Sequence, residues 1–359
     1  MKTIFWLSVA IIAYVYVGYP VLIAAWARLV RPTRKRVSIE AMTSWPSISI
    51  IIAARDEAAR LPARLTNLLT IPYAGRREII VVSDGSTDDT RQVVGVFGRA
   101  VRLVEVPAGG KPLALNAGVA VATGDVLLFA DARQEFSANA LEHLAKNFVD
   151  PQVGGVTGEL VLDAEQDSTE STVGDGVGLY WRYEKWLRRS ESTVWSTLGA
   201  TGAIYALRRD LWRPLPAGTL LDDVLAPMRV VLGGRRIVFE EEARAFDRAS
   251  ADAEAESRRK VRTLAGNYQI LSQEPRLLVP IFNPVWLQYV SHKLGRLLVP
   301  WALLGSLFAS AALMFDGWLY ACAFGVQALF YLVAAYGGWR EHRTRRSAEF
   351  SGTLREVTR

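Results

Sequence analysis

Cysteine is all but absent. The chain has one, Cys322, inside an apolar run, so no intrachain disulfide can form and paired-cysteine zinc sites are excluded. Histidine is nearly as scarce: His143, His292 and His342 stand far apart, show no metal-ligand spacing and read as surface or interfacial residues. There is no G-x-x-x-x-G-K-[ST] and no G-x-G-x-x-G, so P-loop nucleotide hydrolysis and dinucleotide binding lack their phosphate-cradling turns. Charge of one sign is not in great excess either. The net +6 is modest, and the basic residues gather beside apolar stretches, from Arg28 to Arg36 and from Arg340 to Arg346. That distribution suits anionic lipid headgroups and argues against a nucleic-acid groove, which wants basic residues along a soluble face.

Apolar residues, by contrast, make up 50% of the chain, with 11 Trp. This exceeds the share of an ordinary soluble domain and points to membrane segments. Ile4 to Ala27 carries no charge and is long enough to cross a hydrocarbon core of about 30 Å. A signal peptide is the competing reading, since Ala25-Trp26-Ala27 resembles a cleavage site. The short basic start and the cluster Arg28, Arg31, Arg34, Lys35 and Arg36 favour a retained helix with a stop-transfer flank. Two further uncharged runs, Leu297 to Phe315 and Gly317 to Trp339, flank Asp316 and read as a helical hairpin. With basic residues before and after the hairpin, the positive-inside rule expects three crossings, an outside N-terminus and a cytoplasmic central domain. Between them, Ser257 to Gln273 is a charged helical stretch, and Leu277 to Tyr289 is apolar but broken by Pro280 and Pro284. Both suit the headgroup zone, with Trp286 and Tyr289 as anchors. Tyr180 to Trp186 reads as a further amphipathic helix, either at the interface or packed within the domain.

In the central portion, Ser47 to Ala53 is short, β-branched and apolar, as a strand buried on both faces should be. A helix is expected over Ala58 to Thr70, with further strands at Glu78 to Ser83, Val101 to Val106 and Asp125 to Ala130. Helices Asp88 to Phe97 and Leu113 to Ala122 separate them. This alternation implies a doubly wound α/β, mostly parallel, Rossmann-like sheet, whose ligands bind beyond the C-terminal strand ends. Arg55-Asp56-Glu57, Asp84-Gly85-Ser86 and Asp131-Ala132-Arg133 stand at those ends. Asp and Ser there can simply cap helices, and Thr87 or Asp88 fits that plainer role. Asp84 and Asp131 should adjoin one crevice, where two carboxylates suit a base edge, a ribose or a metal-bound diphosphate. Gly109-Gly110-Lys111, ahead of a helix, could meet phosphate through backbone N–H groups and the lysine.

Six segments now stand in order: SISIIIAARDE, VVSDGSTDDT, GGKPLALNAG, DVLLFADA, GATGAIYALRRDL and LDDV. Together they resemble the family 2 glycosyltransferases, which have a GT-A fold, over roughly Ser47 to Gln273. The resemblance implies that Asp56 or Glu57 lies at the nucleotide, that Asp84 receives the base, and that Lys111 lies near the nucleotide. It implies that Asp131 contacts ribose and a divalent metal, Mg²⁺ or Mn²⁺. Arg133 stands where the second acid of the D-x-D pair is usual, so either Asp131 holds the ion alone with the diphosphate or Arg133 supplies charge itself. Gly202 belongs to the segment resembling the acceptor-side loop. Asp222 and Asp223 match the acid pair, of which Asp223 would be the general base of an inverting displacement. Read alone, the pair is equally an acidic loop or N-cap. Arg259 and Arg262 lie in ESRRKVRT, where the Q-x-x-R-W signature of processive members would fall without its Trp.

The expected organisation is a transmembrane helix over 1–30, a glycosyltransferase domain over 45–250 and interfacial helices over 251–295. A transmembrane hairpin over 296–339 and a basic cytoplasmic tail over 340–359 complete it. The expected function is an inverting transfer from a nucleotide-sugar, UDP-linked by family resemblance, to a lipid-linked or other membrane-associated glycan at the inner or plasma membrane. The alternatives are a processive synthase that extrudes its polymer, a non-catalytic nucleotide-sugar-binding subunit, and a transporter. Retention of Asp223 opposes the non-catalytic subunit, and three helices without an intramembrane charge oppose the transporter.

Overall fold

In a computed structural model of the protein, residues 1–30, 38–162, 172–247 and 253–357 are described. The basic positions Arg31, Arg34, Lys35 and Arg36 lie outside them. The chain divides into two compact units, one of residues 20–293 and one of residues 1–19 with 294–359.

The larger unit is built on an eight-stranded sheet. Its strands are β1 (Ile48–Ala54), β2 (Arg77–Asp84), β3 (Arg102–Val106), β4 (Val126–Ala130), β5 (Glu135–Phe136), β6 (Val153–Leu162), β7 (Ile204–Arg208) and β8 (Arg236–Asp247). They lie in the order β3-β2-β1-β4-β7-β6-β8-β5. The first four are mutually parallel, as the alternating pattern predicts, whereas β7 runs antiparallel to β4 and β6. The sheet is therefore mixed beyond β4. Strand β1 reads as a continuous apolar run because both of its faces are covered. Ile50 and Ile52 meet Leu61, Leu65 and Leu68 of the helix Leu61–Thr70, while Ile51 faces the helix Lys111–Val121 on the other side. Burying each such side chain contributes about 1.5–3 kcal/mol. On that second face, a Cβ at Gly118 would stand 2.7 Å from Ile51 Cγ2, so the missing methyl lets the helix lie close against the sheet.

Three helices complete this unit around the strand ends: one over Thr172–Val194, one over Asp222–Leu232 and one over Ala253–Gln273. The helix expected from Ala58 starts at Leu61, and that expected over Asp88 to Phe97 is reduced to Thr90–Gly95. In both cases the preceding residues are spent on a turn at the strand end.

Among the described residues three helices are long and apolar enough to cross a membrane: Lys2–Leu29, Trp286–Ala312 and Trp318–Arg340. The second begins well before the expected Leu297. Its first turns hold Tyr289, Ser291 and His292 buried in protein, so the charges of Lys293 and Arg296 do not end the helix. Pro280 and Pro284 do break the chain before it, as expected. In the smaller unit Phe5 packs on Ala309 and Leu313, and Tyr320 meets Phe5 edge-on at 5.0 Å.

Candidate active site

The candidate residues converge at the C-terminal ends of β1, β2 and β4. The turn after β1 puts Asp56 at φ +55°, a left-handed conformation that Asp tolerates better than most side chains. Its Oδ1 accepts N–H bonds from Thr87 at 2.7 Å and Asp88 at 3.3 Å, so Asp56 ties the first strand end to the second. The Thr87 N–H leads in holding this exposed carboxyl below its ordinary value. Glu57 is paired with Arg60 at 2.7 Å and its N–H donates to Thr90 Oγ1.

Asp84, expected to receive the base, is engaged by the loop before Lys111. It is buried, 4% exposed, and its Oδ1 accepts the Gly109 N–H at 2.7 Å while Oδ2 accepts the Gly110 N–H at 2.9 Å. Two amides that the sequence offered to phosphate are thus occupied from within. Gly85 and Gly110 enable this latch. A Cβ at Gly85 would meet Ala108 at 2.7 Å, and Gly110 sits at φ +89°.

The latch delivers Lys111 to the centre of the site. Its Nζ lies 2.9 Å from Asp131 Oδ1 and 3.6 Å from Asp222 Oδ2. Burial opposes its charge, but the carboxylates of Asp222 and Asp131 prevail and hold the ammonium protonated beyond its ordinary range. Arg133, in contrast, turns to Asp247 at 3.0 Å, whose Oδ2 also receives Gln134 Nε2. The cation beside Asp131 is Lys111, while Arg133 pairs with Asp247.

Asp222 and Asp223 form the first turn of the helix Asp222–Leu232, where the helix dipole favours negative charge. Asp222 is buried, and among the described residues its Oδ2 has no hydrogen-bond partner. Asp223 Oδ2 accepts the Gly202 N–H at 3.1 Å, and its backbone carbonyl accepts the Ala200 N–H at 2.7 Å. Burial, then the charge of Asp222, pushes the Asp223 carboxyl up to about 6, against the pull of Lys111 and Lys293. Such a group exchanges a proton near neutrality, as a general base should.

Arg259 and Arg262 are both exposed on the helix Ala253–Gln273, and Arg262 Nη2 donates to the Leu220 carbonyl at 3.0 Å. The same helix clamps the segment leading into Asp222 more firmly through Gln269, which accepts the Leu220 N–H at 2.9 Å and donates to the Gly218 carbonyl. A Cβ at Gly266 would meet Leu221 at 2.5 Å. That glycine in an otherwise helical pattern is the signal that this face is pressed against backbone.

Two features have no sequence signal. Tyr205 on β7 is fully buried, stacks on Phe129 at 4.8 Å, and among the described residues its hydroxyl has no hydrogen-bond partner. Burial, with the charges of Asp222, Asp223 and Asp131, pushes its phenol well above the ordinary value and keeps it a donor. The second is a cleft beside Asp223, bounded by Glu184, Arg188 and Glu191, the loop 197–200, and His292 with Lys293.

Against known proteins, the glycosyl transferase family 2 model matches residues 49–213. The beta-monoglucosyldiacylglycerol synthase of Nostoc sp. (strain PCC 7120 / SAG 25.82 / UTEX 2576) is 28% identical over 33% of this chain and 26% of its own length. The poly-beta-1,6-N-acetyl-D-glucosamine synthase of Staphylococcus aureus (strain COL) is 30% identical over 31% of this chain and 28% of its own. The chain thus matches little more than a quarter of either relative. Among solved structures, the mannosyltransferase PcManGT from Pyrobaculum calidifontis, in complex with GDP-Man and Mn²⁺, has the same fold. It superposes with a TM-score of 0.70 at 22% identity, over 94% of both chains. The parallel strand ends and the family match agree: residues 49–213 match family 2 glycosyltransferases, and the fold is GT-A.

Proposed function

We propose that the protein transfers a sugar from a nucleoside-diphosphate sugar to a hydroxyl of a membrane-associated acceptor, with Asp223 as the base and with inversion at the anomeric carbon. The observation that carries this reading is the placing of Asp223. One carboxylate oxygen is fixed by the Gly202 amide, its proton affinity is raised, and a lysine bridging two acids lies alongside. In the step, the acceptor oxygen forms a bond to the anomeric carbon as the bond to the diphosphate breaks. Asp223 takes the acceptor's proton, and the nucleoside diphosphate leaves with the electron pair.

Lys111 meets the charge of that leaving group. A divalent cation fits Asp131 under one condition. Among the described residues no three His, Cys, Asp or Glu side chains could cage an ion. A cation held by one carboxylate takes its remaining positions from diphosphate oxygens and water, which is how Mg²⁺ commonly binds. Asp131, 35% exposed at its side chain, is placed for that role, and Lys111 now covers the oxygen it would use. When bound, the ion supplies further neutralisation of the diphosphate.

The three long apolar helices and the glycolipid-forming relative support a lipid-linked or membrane glycan acceptor. The basic flanks favour a cytoplasmic site with the N-terminus outside. The polymer-forming relative favours the second reading, a processive synthase, although ESRRKVRT lacks the Trp of the processive signature. A panel of nucleotide-sugars, with nucleoside diphosphate release followed in the presence of membrane lipid extract, tests the proposal. Release from one donor that depends on the extract supports it; no release from any donor sinks it. Products of many identical sugars would move the conclusion to the second reading.

A further inference from the structure

Two buried polar atoms at the acid pair are unmet, and they are of opposite kind. Among the described residues Tyr205 Oη is a donor without an acceptor, and Asp222 Oδ2 is an acceptor without a hydrogen-bond donor. Tyr205 is 0% exposed and Asp222 3%. A buried donor left unmet costs more than an ordinary hydrogen bond returns, and phenylalanine would pack here at no such cost. Polar groups kept against that cost are found at working sites.

The fold fixes the place of this phenol. Tyr205 pairs across the sheet with Phe129 of β4 and stacks on its ring, and Phe129 stacks in turn with Trp212 at 5.0 Å. On the same side of the sheet lie Val224 and Leu225, which directly follow the acid pair in the helix Asp222–Leu232. The segment leading into β7 is itself tied to that pair, through the Ala200 N–H to the Asp223 carbonyl and the Gly202 N–H to Asp223 Oδ2. The charge acting most strongly on the Tyr205 hydroxyl is Asp222, followed by Asp223 and Asp131.

At rest Asp222 is served by Lys111, whose Nζ lies 3.6 Å from its Oδ2 and 2.9 Å from Asp131 Oδ1. The longer contact is beyond hydrogen-bond range, so Asp222 holds the ammonium through charge alone. An ammonium is a single point charge on a flexible stem, and a diphosphate that takes it draws it away from Asp222. A buried carboxylate that loses its cation is costly unless a donor takes the cation's place.

We propose that Tyr205 is a positioning residue for donor binding: its phenol donates to Asp222 once Lys111 turns to the diphosphate, so that the acid pair keeps its place while the lysine is engaged. The proposal rests on the reading of Lys111 as the cation that meets the leaving group. A hydrogen bond absent at rest and formed on binding adds to affinity without adding to the stability of the empty protein.

That difference in sign is the test. The full chain in lipid nanodiscs, as wild type and Tyr205→Phe, is melted without ligand and titrated with UDP and with GDP in Mg²⁺ buffer. Tyr205→Phe should melt at or above the wild-type temperature, because it removes an unmet donor. It should nevertheless bind the nucleoside diphosphate about tenfold more weakly, the scale of one hydrogen bond to a charged group. A merely structural tyrosine would lower both or neither. In a Lys111→Met background Asp222 has no cation to lose, so adding Tyr205→Phe should leave affinity unaltered. A Tyr205→Phe protein that melts below wild type, or binds as tightly, overturns the proposal. So does the same tenfold loss in the Lys111→Met background. If Lys111→Met alone leaves affinity unchanged, the reading of Lys111 fails instead, and a wild type that binds neither nucleotide sinks both.

Discussion

In the proposed step Asp223 handles the proton and Lys111 the charge, so their substitutions should separate. Asp223→Asn keeps shape and the Gly202 amide contact but removes the proton acceptor. Turnover should fall about 10²–10⁴-fold, with nucleotide-sugar affinity within a few-fold of wild type. The same change at Asp222 should cost less; if it is the more damaging of the two, the base has been placed one residue too late. The sign of the pH effect follows from the raised proton affinity of Asp223. A carboxyl pushed up to about 6 is already partly protonated below neutrality, so kcat should fall on the acid side through that pH. A kcat profile flat from pH 5 to 8 would remove Asp223 from the rate. Chelation by EDTA should abolish transfer and Mg²⁺ or Mn²⁺ restore it, while full activity in chelator would leave Lys111 as the cation for the diphosphate.

Among the elements, the β2 end and the loop before Lys111 act as one. Asp84→Ala frees the Gly109 and Gly110 amides inside a buried turn, costing about 1–3 kcal/mol of stability for the unmet groups. Nucleoside diphosphate affinity should weaken too, since Lys111 loses its support; calorimetry that finds stability and affinity both unchanged would contradict the latch. Here the limits of reading the chain directly are visible. Strands β1 and β4 were legible because a sheet covered on both faces demands uninterrupted apolar runs, and SISIIIA and DVLLFA carry them plainly. The polar residues at their ends were legible as a group. What each carboxylate faces was not, because a strand-end Asp that bonds a loop and one that faces a ligand share the same local sequence. Arg188 and His292 could not be found at all. They lie 104 residues apart in a chain numbered through to 359, and only the fold brings them to one cleft. The helix that carries the second apolar run starts at Trp286, ahead of the run itself, which Lys293 and Arg296 conceal until the packing around His292 is known.

At the scale of the whole molecule, the proposed orientation can be tested without chemistry. In a Cys322→Ser background, cysteines at Arg34 and Ser347 should be shielded from impermeant thiol reagents in intact cells, and one at Asp316 should react. Reaction at Arg34 alone would reverse the orientation and place the site on the outer side. The commitment of two loop amides to Asp84 has one more consequence, which concerns ionic strength. A diphosphate cradled by backbone dipoles at close range is fairly insensitive to salt. Here those dipoles face inward, and in the proposed binding mode the donor would meet point charges at Lys111 and at a cation on Asp131, whose side chains are 30% and 35% exposed. Screening shortens the reach of such charges to about 8 Å at physiological ionic strength and about 3 Å at 1 M. Donor affinity should therefore weaken steadily as potassium chloride rises, while Asp223, working through a proton and not a field, keeps its turnover at saturating donor.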